Sequence, residues 1–234
     1  MNSYIKNSFL KSKSGISESL FFGNIPVIQL KALPKTVFLN KILSTIEKKL
    51  KSKNFILNLK GIYIGSFKEL KERSLRALYK DNFIYVSDYR DISKYKISEE
   101  IIIKDIIHEI GHIVQQNFQE QIYSDNLLFD DFILKRKLLG RNLIANNFIL
   151  PDSFLNSIDY SKIIDNFLVS KVGYPALTNF ISNIFISPYS ATSISEYFSC
   201  GFEEYFAGNN ILLRQISPVL YTKIDTLRMS IGDI

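Results

Sequence analysis

The chain contains two histidines, His108 and His112, and both fall in one string, His108-Glu109-Ile110-Gly111-His112. On a helix, residues four apart share a face, one turn above each other. Two imidazoles so placed hold one Zn²⁺ from the same side, and Glu109 between them is placed to polarise a water beside the ion. That is the pattern a zinc peptidase needs. The bland alternative is a pair of ordinary surface or core histidines on a helix.

Catalytic zinc usually has three protein ligands and a water. No histidine remains, so the third ligand is a carboxylate or Cys200. The longer HExxHxxGxxH pattern fails, because Gln115 and Phe118 stand at its last two positions. What remains is a glutamate or aspartate from elsewhere in the chain, as in the class where a second helix supplies it. The candidates are Glu120, Asp125, Asp130, Asp131, Glu196, Glu203 and Glu204. Glu120 lies two turns beyond His112 on the same rod and points the wrong way, and the aspartates lack a distinctive context. In the segment SEYFSCGFEEYF, Phe198, Phe202 and Phe206 form an apolar stripe, with Glu196, Cys200 and Glu203 roughly opposite. A helix so striped must pack, and small Ser199, Cys200 and Gly111 would let two helices approach. Glu196 is then either aimed at a metal or simply an N-terminal acid that suits the helix dipole, and spacing leaves both open.

The histidines need a helix under them. Ser98 can cap one whose first turn carries Glu99 and Glu100, running to about Phe118. Ahead of it, the two runs flanking Lys80-Asp81-Asn82 read as a hairpin, and Phe83-Ile84-Tyr85-Val86 as a strand. A charged loop separates that strand from the histidine helix. Phe38, Ile42, Ile46 and Leu50 mark an amphipathic helix from Thr36 to about Lys51. Phe55 to Ile64 reads as a strand and Phe67 to Arg76 as a helix or turn. Residues 124–148 and 152–185 read as mainly helical, broken at Pro151 and at Gly173-Tyr174-Pro175. Ser195 can cap a helix through Ala207, and a last helix follows Pro218. The expected class is α+β: a small mixed or antiparallel sheet, then a mainly helical C-terminal part. Residues 1–35 read as an arm and irregular lead-in, with a short strand between Phe21 and Leu33. Residues 36–234 read as one domain.

The 46% hydrophobic and 22% charged content is that of a soluble globular protein. No apolar run has membrane-spanning length, and the N-terminus lacks the order of a secretory signal. The expectation is a cytoplasmic protein or one delivered by a non-classical route. A single cysteine excludes an internal disulfide. The net charge of +6 is uneven: residues 1–60 hold eleven Lys and two Glu, or +9, so the remainder sums to −3. The basic segment suits an acidic partner, or is a solvated helix face with a basic tail. No nucleic-acid-binding module accompanies it, so no specific nucleic acid is expected.

The segment Pro188-Tyr189-Ser190-Ala191-Thr192-Ser193-Ile194-Ser195-Glu196-Tyr197-Phe198, taken with HEIGH, resembles the catalytic domain shared by the lethal-factor toxin and the secreted Pro-Pro endopeptidases. These are zincins with a glutamate third ligand. They carry HExGH, then a Tyr seven residues before a Glu that opens a segment like EFFAEAF. Here Tyr189 precedes Glu196 by seven, and EYFSCGF follows. The resemblance covers about residues 60–225 and has no counterpart for residues 1–35. It implies a zincin-like domain over 36–234, a toxin- or effector-like zinc metalloprotease with an edge strand over its HExxH helix. It implies that His108, His112 and Glu196 bind one Zn²⁺, that Glu109 is the general base, and that the Tyr189 hydroxyl stabilises the oxyanion. Where the family has an acid four residues after the ligand Glu, beside the metal ligands, this chain has Cys200; Glu203 one turn on is the substitute, and Cys200 as a fourth ligand would close the site. Phe83, Ile84, Tyr85 and Val86 would be the edge strand that pairs with an extended protein or peptide substrate, or an ordinary interior strand. The competing reading is a catalytically silent zincin-like scaffold, serving as a structural or interaction protein in a larger assembly.

Overall fold

The computed structural model describes residues 17–88 and 98–232. The first 16 residues of the expected arm and the charged loop at 89–97 lie outside the described residues. The chain divides into two compact units, one through Ile113 and one from Val114 onward. The class is α+β, with a mixed sheet in the first unit and a mostly helical second unit.

In the first unit, β1 (Ser17–Phe21), β2 (Ile25–Gln29), β3 (Gly61–Gly65), β4 (Ala77–Lys80) and β5 (Phe83–Ser87) form one five-stranded sheet in the order β1-β2-β3-β5-β4. The β1–β2 and β4–β5 pairs are antiparallel; β2–β3 and β3–β5 are parallel. The lead-in is therefore a hairpin of the sheet, turned at Phe22 and Gly23, both with positive φ. Val27, Ile62 and Ile84 stand in register across three strands and are fully buried, as are Ile64 and Val86 one step along the same face. The other face is aromatic: Tyr63 stacks on Tyr85 at 5.8 Å between centroids, with Phe67, Leu70 and Leu30 around them. Period-two alternation thus serves two cores, one on each side.

Helices α1 (Leu39–Leu50), α2 (Lys68–Glu72) and α3 (Glu99–Asn117) complete this unit, the last turn of α3 belonging to the second. The α1 stripe Leu39, Ile42, Leu43, Ile46 and Leu50 is buried as its spacing requires, whereas Phe38 stays outside the helix and is mostly exposed. Glu99 joins α1 to α3, accepting from the Phe38 N–H at 3.1 Å and pairing with Lys41 at 2.6 Å. The expected strand from Phe55 to Ile64 is shorter. Ser52 accepts from the Asn54 N–H and opens a tight 3₁₀ turn over Lys53–Ile56, and Asn58 at positive φ delays the strand to Gly61.

The Lys80–Phe83 hairpin forms as its sequence requires, with Asp81 and Asn82 both at positive φ, the geometry that matches strand twist in a two-residue loop. The strand it leads to corrects one expectation. Phe83–Val86 is not an edge: β5 pairs with β3 on one side and β4 on the other. Its nearly unbroken apolar run is buried on both faces, which an edge does not allow, while short β4, flanked by Arg76 and ending in Lys80, has the character of an edge strand.

The second unit holds α4 (Gln119–Tyr123), α5 (Leu127–Ala145), α6 (Lys162–Asn166), α7 (Tyr174–Phe180), α8 (Ile194–Ala207), α9 (Asn210–Ile216) and α10 (Pro218–Gly232). A wide-turned π segment, Phe167–Gly173, joins α6 to α7 and ends where Gly173 takes φ +82°, just before Pro175. Phe132, Phe185 and Tyr197 pack at 5.7–6.0 Å between centroids in its core, Phe185 edge-on to both of the others. Gly201 of α8 faces Leu220 of α10 so closely that a Cβ there would overlap it. Among the described residues, no helix is long and apolar enough to cross a membrane.

Candidate metal centre

The histidine helix starts as its sequence requires. Ser98 accepts from the Ile101 N–H at 3.3 Å, and Glu99 and Glu100 occupy the first turn. Ile102, Ile106, Ile107, Ile110 and Ile113 are fully buried and give α3 a wide apolar face. His108 and His112 sit beside that face, half-buried, with ring centroids 5.2 Å apart and planes at 76°. Buried polar groups flank them. Asp105 pairs with Arg76 at 2.8 Å, and Glu109 accepts from the Tyr79 backbone N–H at 2.6 Å.

That last bond is informative about β4. The Ser87 N–H donates to the Arg76 carbonyl, so in this register Leu78 and Lys80 point their backbone groups at β5, while Ala77 and Tyr79 point theirs away from the sheet. Glu109 occupies the outward donor of Tyr79 and orients its carboxylate by it. Sequence reasoning did not find this role, because any residue but proline supplies a backbone N–H.

Glu196 stands in the first turn of α8. The cap is Ser193, not Ser195: the Ser193 hydroxyl accepts from the Glu196 N–H at 3.2 Å, and the helix begins at Ile194. Ser193 has the extended backbone a cap needs and lies three residues before the donor it satisfies. The turn ahead of it, Tyr189–Ala191, is held from inside. Fully buried Arg136 of α5 donates to the Ala191, Thr192 and Phe154 carbonyls, and its guanidinium lies 4.4 Å from the Phe154 ring centroid. Burial pulls its pKa down to about 10, so it remains a cation at neutral pH. Arg136 gave no signal in the sequence beyond being one of seven arginines.

One nitrogen from each of His108 and His112 and one Glu196 carboxylate oxygen all lie within 4.8 Å of one another, close enough to bind a metal ion. A tetrahedral zinc with bonds of roughly 2.1 Å holds its donors about 3.4 Å apart, within that 4.8 Å limit. Two neutral-nitrogen donors and one carboxylate, half-buried, are a fitting set for such an ion. Cys200 and Glu203 are not part of this group. Cys200 is buried, and its sulfur accepts from the Ser187 hydroxyl at 3.4 Å. Glu203 is half-buried one turn further along α8. The other candidate ligands are engaged elsewhere or exposed. Asp131 accepts from the Tyr197 hydroxyl at 2.6 Å, Asp125 pairs with Lys223 at 2.7 Å, and Glu204 accepts from the Asn209 N–H at 2.8 Å. Tyr189 is half-buried, and its carbonyl accepts from the Thr192 hydroxyl, which closes the turn.

Comparisons with protein-family models, with curated proteins and with solved structures return no match to this chain.

Proposed function

We propose that the protein is a zinc-dependent endopeptidase of the zincin type, similar in its site to the lethal-factor and Pro-Pro endopeptidase catalytic domains. The observation that carries this reading is the convergence of His108, His112 and Glu196: the carboxylate lies 88 residues beyond the first histidine and 84 beyond the second, yet one donor atom from each residue lies within 4.8 Å of the others. Glu109 within the same string supplies the base such a site uses.

A bound Zn²⁺ would supply Lewis acidity, polarising the scissile carbonyl and acidifying a water. Glu109 takes the proton of the attacking water and passes it to the leaving amine. Without substrate, its carboxylate accepts from the Tyr79 N–H. The Tyr189 hydroxyl donates to the oxygen on which negative charge develops, and the Arg136-anchored turn fixes where that hydroxyl starts from. An extended peptide pairing along β4 would compete with Glu109 for the Tyr79 N–H, so substrate binding and release of the base are linked in this reading. The basic first 60 residues suit an acidic protein partner.

The test is the zinc content of the purified chain together with cleavage of casein and a broad peptide library. Zinc near one per chain and cleavage that Glu109→Gln abolishes while retaining the metal are expected. Metal-loaded protein that cleaves nothing across the library would instead support the silent scaffold.

A further inference from the structure

We infer that Gln115 is a positioning residue that grips Ser195 and Ser199, on either side of Glu196, from the histidine helix and so sets the geometry of the metal group. The inference rests on the metal-binding reading above and adds a determinant that lies outside the ligand set.

Gln115 is three residues beyond His112, on the last turns of α3, and is buried. Both ends of its amide are engaged. The Nε2 group donates to the Ser195 carbonyl at 2.9 Å and to the Ser199 hydroxyl at 2.9 Å. The Oε1 atom accepts from the Tyr123 hydroxyl at 2.8 Å. Burial raises the Tyr123 phenol far above its ordinary range, so it stays a donor at any working pH. The Ser195 carbonyl belongs to the peptide unit that leads into Glu196, and Ser199 lies one turn along the same helix. One side chain from the histidine helix therefore holds two successive turns of the helix that bears the third ligand.

The consequence is preorganisation. A metal that must draw a distant carboxylate into place loses affinity by the cost of ordering it, whereas a carboxylate already held near the imidazoles does not. Buried amides with every group satisfied also fix one geometry, because a slip of either helix would strand a polar group away from water.

The experiment is Zn²⁺ titration of the full chain against a chromophoric chelator, with Co²⁺ visible spectra as a readout of ligand geometry. Gln115→Leu is expected to weaken Zn²⁺ binding about 10- to 100-fold, the range typical of groups that orient metal ligands, and to alter the Co²⁺ spectrum. Tyr205→Phe, at the far end of α8, controls for general loss of stability and is expected to bind as the parent does. Wild-type affinity and spectrum in folded Gln115→Leu would overturn the inference. If that variant does not fold, Ser199→Ala and Tyr123→Phe carry the test, each expected to weaken binding several-fold, and parental affinity in both would overturn it. A parent that binds no Zn²⁺, or a His112→Ala variant that binds as tightly as the parent, would instead overturn the metal reading itself.

Discussion

Helix α3 and helix α8 contribute to one group of donor atoms by different physical means. The α3 pair needs little beyond the helix: four residues of spacing place His108 and His112 one turn apart. The backbone that carries the α8 carboxylate is held by bonds that reach progressively further, three residues from the Glu196 N–H to Ser193, 55 from Arg136 to Ala191 and 80 from Gln115 to Ser195. A local pair forms wherever its helix forms. A distant partner forms only once the loops between have been closed, which costs chain entropy that buried contacts must offset. Substitutions of the two α3 histidines should therefore act on the ligand chemistry and spare the fold, while those of the groups that hold α8 should act on the fold and reach the ligand through it.

The largest expected effect is on the local half. His108→Ala or His112→Ala should reduce Zn²⁺ affinity about 10³-fold, or about 4 kcal/mol, by calorimetric titration. The same variants should leave the unfolding free energy of the metal-free chain within about 0.5 kcal/mol, since both rings are half-exposed. A large loss of stability in the metal-free variants would erase the contrast between the helices.

Next comes Arg136→Met, which leaves the Phe154, Ala191 and Thr192 carbonyls without their buried donor while removing a costly buried charge. The net destabilisation should be about 3 kcal/mol, read from urea unfolding. An unchanged midpoint would show that the turn before α8 holds itself. Gly201→Ala forces a methyl into Leu220 and should cost about 2 kcal/mol, without altering the histidine pair. Ser193→Ala removes the cap on the Glu196 N–H and should cost about 1 kcal/mol, with a fall in helical ellipticity too small to follow but a lower melting temperature.

The smallest effect is a pH dependence confined to the α8 side. Tyr205 donates to Asp225, and burial raises its phenol pKa to about 12. Above pH 10 the unfolded chain loses this proton while the folded chain keeps it, so stability falls as pH rises between about 10 and about 12. Tyr205→Phe should flatten that alkaline limb, seen as a melting temperature less sensitive to pH in this window. An identical limb in both proteins would place the titration elsewhere.

The parts legible from sequence were those with a short period or a local chemical signature. The cap at Ser98, the Asp81-Asn82 turn, the α1 stripe and the HEIGH spacing were each readable within a few residues and are present in the structure. The resemblance singled out Glu196 from several acids, and the structure brings it to the histidines. Whether β5 is an edge strand or an interior one is not legible, because an apolar run of strand length does not say how many neighbours it has; the structure makes it interior. Of the two strands within residues 17–29, the sequence marks only a short one after Phe21, since SESLF and IPVIQ carry no clean alternation and β2 becomes a strand by pairing with distant β3.

By itself, then, the sequence determined which atoms are available for chemistry and the one helical turn that pairs two of them, because those depend on residue type and backbone period alone. Only the tertiary structure decided that β4 and not β5 is the outer strand, that the Tyr79 N–H donates to Glu109, and that Arg136 and Gln115 bond the backbone leading into Glu196. Each of those rests on a buried backbone group finding a partner far along the chain, and backbone groups are the same at every residue, so no pattern of side chains announces them.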